Sequence, residues 1–393
     1  MENLLVNKVA AVKEVRQTTE YQKKKQACIL TGLAGSSKPV FFAAADKLLG
    51  GKGSMAFITA SREEIRTYRR ELNYLYPDLP MQELYPVSLP RVQADTQSLE
   101  LQAGRAAALR FLSGEERGIV FVTAEALQQK QLRPSGMSGK ALQLAVGEEH
   151  EQRNIAAALL DLGYERTEQV DALGQFCLRG DILDVYPINS SAAVRIEWFD
   201  NELDAMRSFD VDTQRSLQTL TSIKIAPLKV DESFSYDADI FEYCAADTMV
   251  VVDEPVHVFS MLEKLDKENK EHASELFGKQ ELIEQLAANG AVLVSALGHS
   301  YLQQLPSLNI PVRAVAPYNK NTNLLVEDLQ NWLAEGITPL IMLSGSIKAR
   351  GFADNLRNYG LKGHFAQKSF EPGVVNVTYG DLDHGFRFWD EEW

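Results

Sequence analysis

Cysteine is scarce in this chain. Its 393 residues hold only Cys28, Cys177 and Cys244. Odd in number and widely spaced, they exclude a disulfide framework and a zinc cluster and fit a reducing cytosol. Long apolar runs are missing too, none approaching the roughly 20 residues needed to span a bilayer. The N-terminus mixes Glu2, Lys8, Lys13 and Glu14 into its apolar residues, unlike a signal peptide. The expected compartment is the cytoplasm. Positive charge is not in excess: 40 Lys and Arg against 54 Asp and Glu give a net charge of -14. That argues against a general nucleic-acid coat, whose affinity comes from clustered cations, while leaving a local basic patch open. His150, His257, His272, His299, His364 and His384 have no short metal-ligand spacing. No Ser, Cys or His motif for nucleophilic catalysis accompanies them.

An intact phosphate loop is also lacking, although most of one is present. TGLAGSSKP at 31–39 keeps Gly32 and Lys38 in the frame G-x-x-x-x-G-K-[ST], but Ser37 replaces the second glycine and Pro39 the magnesium-binding hydroxyl residue. Proline offers no hydroxyl and no N–H to a phosphate. It also disfavours the helical conformation at Lys38 that would present a helix N-terminus to an anion. MVVVDEP at 249–255 resembles a Walker B strand ending in Asp253 and Glu254. With the cradle spoiled, these carboxylates are expected to survive as strand-end features, because positioning phosphates and metal carries nearly all of phosphoryl-transfer catalysis.

What is there reads as alternating helix and strand up to about Arg133. Short apolar runs at Ala27–Leu30, Met55–Thr59 and from Gly118 predict buried strands. Ser61 and Glu64 form a capping box ahead of Ile65, Tyr68, Leu72 and Leu75 at helical spacing. The expected class is α/β: a parallel-sheet domain of the kind that hosts a phosphate loop at 1–133, an α+β region at 134–225 and a small α/β domain at 309–393. That 226–308 completes the first sheet, making it a degenerate helicase-like domain split by an inserted one, is what the resemblance described below implies. The linkers fall at RPSGMSG (133–139) and in the Pro- and Asn-rich stretch 309–323.

In the inserted domain the pattern shifts to period two. GQFCLRGDILDVYP (174–187) bends at Gly180, and VRIEWF (194–199) puts Val194, Ile196 and Trp198 on one face and Arg195, Glu197 and Phe199 on the other. With the first set in the core, Phe199 projects to solvent beside arginines, the composition of an interface hot spot. Pattern alone leaves two readings open. Phe199 packs under a neighbouring element and Arg195–Glu197 is an ordinary exposed pair, or the face binds a partner.

The blocks GQFCLRGDILDVYP, RIEWFDNELD (195–204) and FDVDTQRS (209–216) resemble the UvrB-homology region of bacterial transcription-repair coupling factors (Mfd), strongly from 174 to 217 and weakly in the flanks. The degenerate phosphate loop agrees. The resemblance implies a non-catalytic UvrB-like module that recruits UvrA in transcription-coupled nucleotide excision repair, through Arg179, Arg195 and Phe199. The segment 84–95 runs toward a helix with no room for UvrB's Tyr-rich hairpin, so damage clamping is not expected. The chain also stops at Trp393, before the polymerase-binding domain and ATP-driven motor of a full coupling factor. RNA polymerase, DNA, ATP and Mg would thus be engaged only by those further domains, and no cofactor or membrane by this chain. The alternatives are a divergent ATP-binding helicase or NTPase, or a DNA-binding module.

Overall fold

The computed structural model describes residues 4–89, 99–133, 141–228, 236–296, 304–319 and 321–388. The chain divides into two compact units: Met1–Pro80 with Met249–Phe259 and Glu284–Trp393, and Met81–Thr248 with Ser260–Ile283. Among the described residues no helix is long and apolar enough to cross a membrane.

In the first unit, parallel strands lie in the order Ser307–Asn309, Cys28–Thr31, Val292–Ser295, Met249–Asp253, Met55–Thr59. Segments from before and after the middle of the chain thus interleave in one sheet. The inner strands are buried almost throughout, as their unbroken apolar sequences require when helices cover both faces. Helix Ser37–Leu48 follows the Cys28 strand and buries Phe41 and Phe42; the latter meets Phe57 edge-on at 5.7 Å. Helix Arg62–Leu75 follows the Met55 strand and begins at the expected capping box, with the Ser61 N–H donating to Glu64 at 3.0 Å. It buries Ile65, Tyr68 and Leu72.

The same unit carries a second, three-stranded parallel sheet, with Val375–Tyr379 between Leu340–Leu343 and Gly363–Phe365. Helices Thr322–Ala334 and Ser346–Asn355 contribute Leu329, Ala349 and Ala353 to its separate core with Val375 and Val377. The stretch read as a linker is not plain loop. Ser307–Asn309 edges the large sheet and Val312–Ala314 pairs antiparallel with Phe386–Phe388. Pro311 falls between these two short strands, where its missing N–H costs no ladder bond.

The second unit holds a parallel pair, Met81–Leu84 with Ile119–Thr123, and a six-stranded sheet. Its order is Ser216–Leu220, Glu202–Phe209, Ala193–Phe199, Ile182–Val185, Gln175–Arg179, Glu165–Arg166, antiparallel except for the last pair. Helix Gln152–Asp161 covers one face, packing Ile155 and Leu159 into a core with Leu183, Val194, Ile196 and Trp198. Gly180 turns between two of the strands at φ +58°, a conformation other residues adopt only under strain. The expected α/β class is borne out. Residues 134–139 of the expected linker and residues 90–98 before helix Leu99–Ser113 lie outside the described residues.

Candidate functional site

The first unit places the degenerate phosphate loop at the C-terminal end of the Cys28 strand, where such loops bind nucleotide. Three of its backbone donors, however, are engaged by the chain. The Ser37 and Lys38 N–H groups donate to the carbonyls of Ala34 and Gly35 at 3.2 and 3.3 Å. The Ala34 N–H donates to the Ser37 hydroxyl at 2.9 Å. Gly32 serves close packing, since a Cβ there would lie 2.2 Å from the Ile310 carbonyl oxygen. One expectation is corrected. Lys38 is helical despite preceding Pro39, which is the third residue of helix Ser37–Leu48. N–H groups of a first turn have no intrahelical partner, so the ring removes no helix bond there.

Lys38 and the Walker-B-like carboxylates do meet, but they hold each other. The Lys38 Nζ lies 2.7 Å from Asp253 Oδ1 and 3.0 Å from Glu254 Oε1. Glu254, at φ +44°, also accepts the Ala296 N–H at 3.2 Å. Burial alone would lower the Lys38 pKa; Asp253 and Glu254 outweigh it and hold the ammonium above its ordinary value. Burial pushes the Asp253 carboxyl up, with Lys38 opposing. Burial and then the Asp253 charge hold the Tyr68 phenol well above its ordinary value.

A further cluster closes over the loop, and sequence reasoning missed it. The Ser36 hydroxyl donates to the Glu71 carboxylate. The Asp383 N–H donates to Glu71 at 3.0 Å and the His384 N–H to the Ser36 hydroxyl at 2.8 Å. Arg70 pairs with Asp383. His384 packs so closely that a Cβ on Gly35 would lie 2.8 Å from its own. Glu71, Asp383 and His384 are within metal-ligand reach of one another, but the Glu71 carboxylate already has protein donors. Glu71 and Asp383 lie 312 residues apart, and no local pattern links them.

The second unit presents the outward face of its six-stranded sheet. The expected alternation along Ala193–Phe199 holds: Val194, Ile196 and Trp198 are buried, and Phe199 is 73% exposed. Register aligns Arg195 with Asp184 on one neighbouring strand and with Arg207 on the other, and Glu197 with Ile182. Arg195 grips Asp184 through both ends of its fork, Nε to Oδ1 at 2.6 Å and Nη2 to Oδ2 at 2.8 Å. It also reaches Gln214 at 3.1 Å and lies 4.6 Å from the centroid of the Phe209 ring. Hydrogen bonding to Asp184 raises its already high pKa, against the desolvation cost. Arg179 touches the same carboxylate at 3.4 Å. Arg207 pairs with Glu197. The structure thus joins Arg179 to Arg195 through one buried acid, while Phe199 stands apart at the strand end. Asp184, Arg207 and the exposed Ile182 and Leu217 were not singled out from sequence. Asp184 faces Arg195 across paired strands, which register alone would have shown.

Comparison with known proteins bears on this second face. Residues 142–230 match the UvrB interaction domain, a segment that contains Arg179, Arg195 and Phe199. The chain is 24% identical to the transcription-repair-coupling factor of Bacillus subtilis strain 168, over 91% of this chain and 37% of that protein. The Escherichia coli K12 protein of the same name is 28% identical, over 42% of this chain and 14% of its own length. That of Staphylococcus haemolyticus JCSC1435 is 32% identical, over 51% and 17%. The chain therefore spans well under half the length of these relatives. The resemblance to transcription-repair coupling factors is borne out.

Proposed function

We propose that this chain is a non-catalytic recruitment module that binds UvrA in the cytoplasm, through the outward sheet face carrying Arg179, Arg195 and Phe199. The observation that carries the reading is the coincidence of the UvrB-interaction-domain match with a sheet face that leaves Phe199 exposed at its strand end. An aromatic ring supplies buried contact area, and an arginine fork suits carboxylates. The first unit supports the non-catalytic part. The Ala34, Ser37 and Lys38 N–H groups serve the chain's own oxygens, its lysine is neutralised, and its acids hold that lysine. No nucleotide or metal is needed for this role. RNA polymerase, DNA and ATP would be engaged by other parts of a full-length coupling factor.

The test is direct titration of UvrA with the full chain, beside an Arg179→Ala, Arg195→Ala, Phe199→Ala triple variant shown to be folded. Binding by the wild type that the variant loses is the expected result; a folded wild type that does not bind refutes recruitment. Titration with ATP and Mg tests the other half, and saturable nucleotide binding would refute the inert loop.

A further inference from the structure

The two arginines of this face are not equivalent. Arg195 has a side chain only 18% exposed, against 55% for Arg179. Its fork is closed on Asp184, it reaches Gln214, and its guanidinium plane rests on Phe209. Little of it is left to meet a partner without breaking bonds already made. Arg179 has the opposite character: a single long contact of 3.4 Å to Asp184 Oδ2 and an otherwise open fork. Asp184 lies between them with a side chain only 2% exposed. A carboxylate that deep needs a paired cation, and Arg195 supplies it.

We propose that Asp184 and Arg195 are positioning residues and that Arg179 is the arginine that touches the partner, beside Phe199. This rests on the UvrA reading above. Arg195 fixes the carboxylate, and the carboxylate's second oxygen in turn orients the Arg179 guanidinium. The partner surface it fits offers a carboxylate or carbonyl pair to Arg179 and an apolar seat to Phe199 and Ile182, since the Arg195 charge is already neutralised within the sheet. A flexible exposed arginine loses less entropy on binding when a neighbour has already restricted it.

A double-mutant cycle on the full chain tests this, using UvrA affinity for wild type, Arg179→Ala, Arg195→Met and the double variant. Methionine keeps an apolar stem against Phe209. Each single change is expected to weaken binding roughly tenfold, and the double variant to be no weaker than Arg179→Ala within about twofold. Additive losses, roughly a hundredfold in the double variant, would make Arg195 a contact residue and overturn the proposal. So would unchanged affinity in a folded Arg195→Met chain, which would leave Arg195 merely structural. Should Arg195→Met not fold, Asp184→Asn takes its place: it removes the carboxylate that Arg195 and Arg179 share while keeping one acceptor oxygen, and the same masking by Arg179→Ala is expected. Failure of the wild type to bind UvrA sinks the recruitment reading and Arg179's contact role together. The Arg195 Nε–H resonance is then read separately. Slow exchange that is lost in Asp184→Asn keeps Arg195 as the pinned group, and fast exchange in the wild type removes that role as well.

Discussion

The loop at Lys38 and the sheet face at Phe199 use similar residues to opposite ends. Both bring a cation against a carboxylate carried by a strand of a sheet. At Lys38 the charges turn inward: the amine holds two carboxylates, and the Ala34, Ser37 and Lys38 N–H groups serve the chain's own hydroxyl and carbonyl oxygens. On the sheet face one ion pair is equally inward, Arg195 on Asp184, yet the same face also carries an exposed aromatic and a half-free arginine. The difference teaches that a charged cluster is best read by what its atoms have left over. A motif whose donors and acceptors satisfy one another supports the fold; one that leaves a fork and a ring to solvent has capacity for a partner.

Substitutions can break that contrast. The largest effect is expected from Lys38→Met. It leaves Asp253 and Glu254 mostly buried without their cation, and removing one partner of a buried pair costs about 3–5 kcal/mol. The denaturant midpoint should fall accordingly while UvrA affinity stays unchanged. Loss of affinity in the folded variant would end the separation between the two regions. Phe199→Ala should do the reverse. Truncating an exposed aromatic at the centre of an interface costs about 2 kcal/mol of binding, roughly thirtyfold in Kd, and less than about 0.5 kcal/mol of stability. A stability loss comparable to the binding loss would show that the ring packs within the unit.

Much of this was legible in the sequence, and the limits have physical causes. Period-two alternation placed Phe199 outside and Trp198 inside because one face of that strand is core and a one-residue slip would reverse every side chain. The capping box at Ser61 announced its helix, and Ser37 with Pro39 set the loop apart from the G-x-x-x-x-G-K-[ST] frame. Three features could not be read. Lys38 is helical because Pro39 falls in the first turn, a matter of where the helix starts. Asp184 looks like any strand aspartate until register sets it opposite Arg195 and burial makes the pair obligatory. The Ser36–Glu71–Asp383 cluster joins distant segments whose local sequences say nothing of one another.

The pH dependence sharpens the inward half of the comparison. Lys38 has a folded pKa raised above its ordinary 10.5. Its contribution to stability is therefore complete below 10.5 and is lost as the pH climbs through the higher folded value. For one proton the slope is at most about 1.4 kcal/mol per pH unit. Asp253 is also raised, by burial, so its contribution is fully present below 3.8 and falls as the pH rises through its folded value. Without Lys38 the opposing cation is gone, and that folded value should rise further. Denaturant midpoints of wild type and Lys38→Met should therefore converge at both extremes and differ most near neutrality. Parallel curves from acid to alkali would mean that the ion pair contributes nothing.

The smallest expected effect is that of Ser61→Ala, and it tests whether the first unit behaves as one inward-facing structure. Ser61 caps helix Arg62–Leu75, which carries Tyr68 and Glu71 toward the loop. Losing a serine cap costs about 1 kcal/mol. If the loop is ordinary interior, that cost appears once, as a shift of the first unit's denaturant midpoint, and nothing else changes. Combined with Lys38→Met, the two losses should then add within about 0.5 kcal/mol, because the cap lies two turns from Tyr68 and shares no hydrogen-bond partner with Lys38. A larger coupling would mean that the cap, Glu71 and the lysine are held as a single network. Loss of UvrA affinity in Ser61→Ala would be more damaging, since it would assign the degenerate loop a part in recruitment.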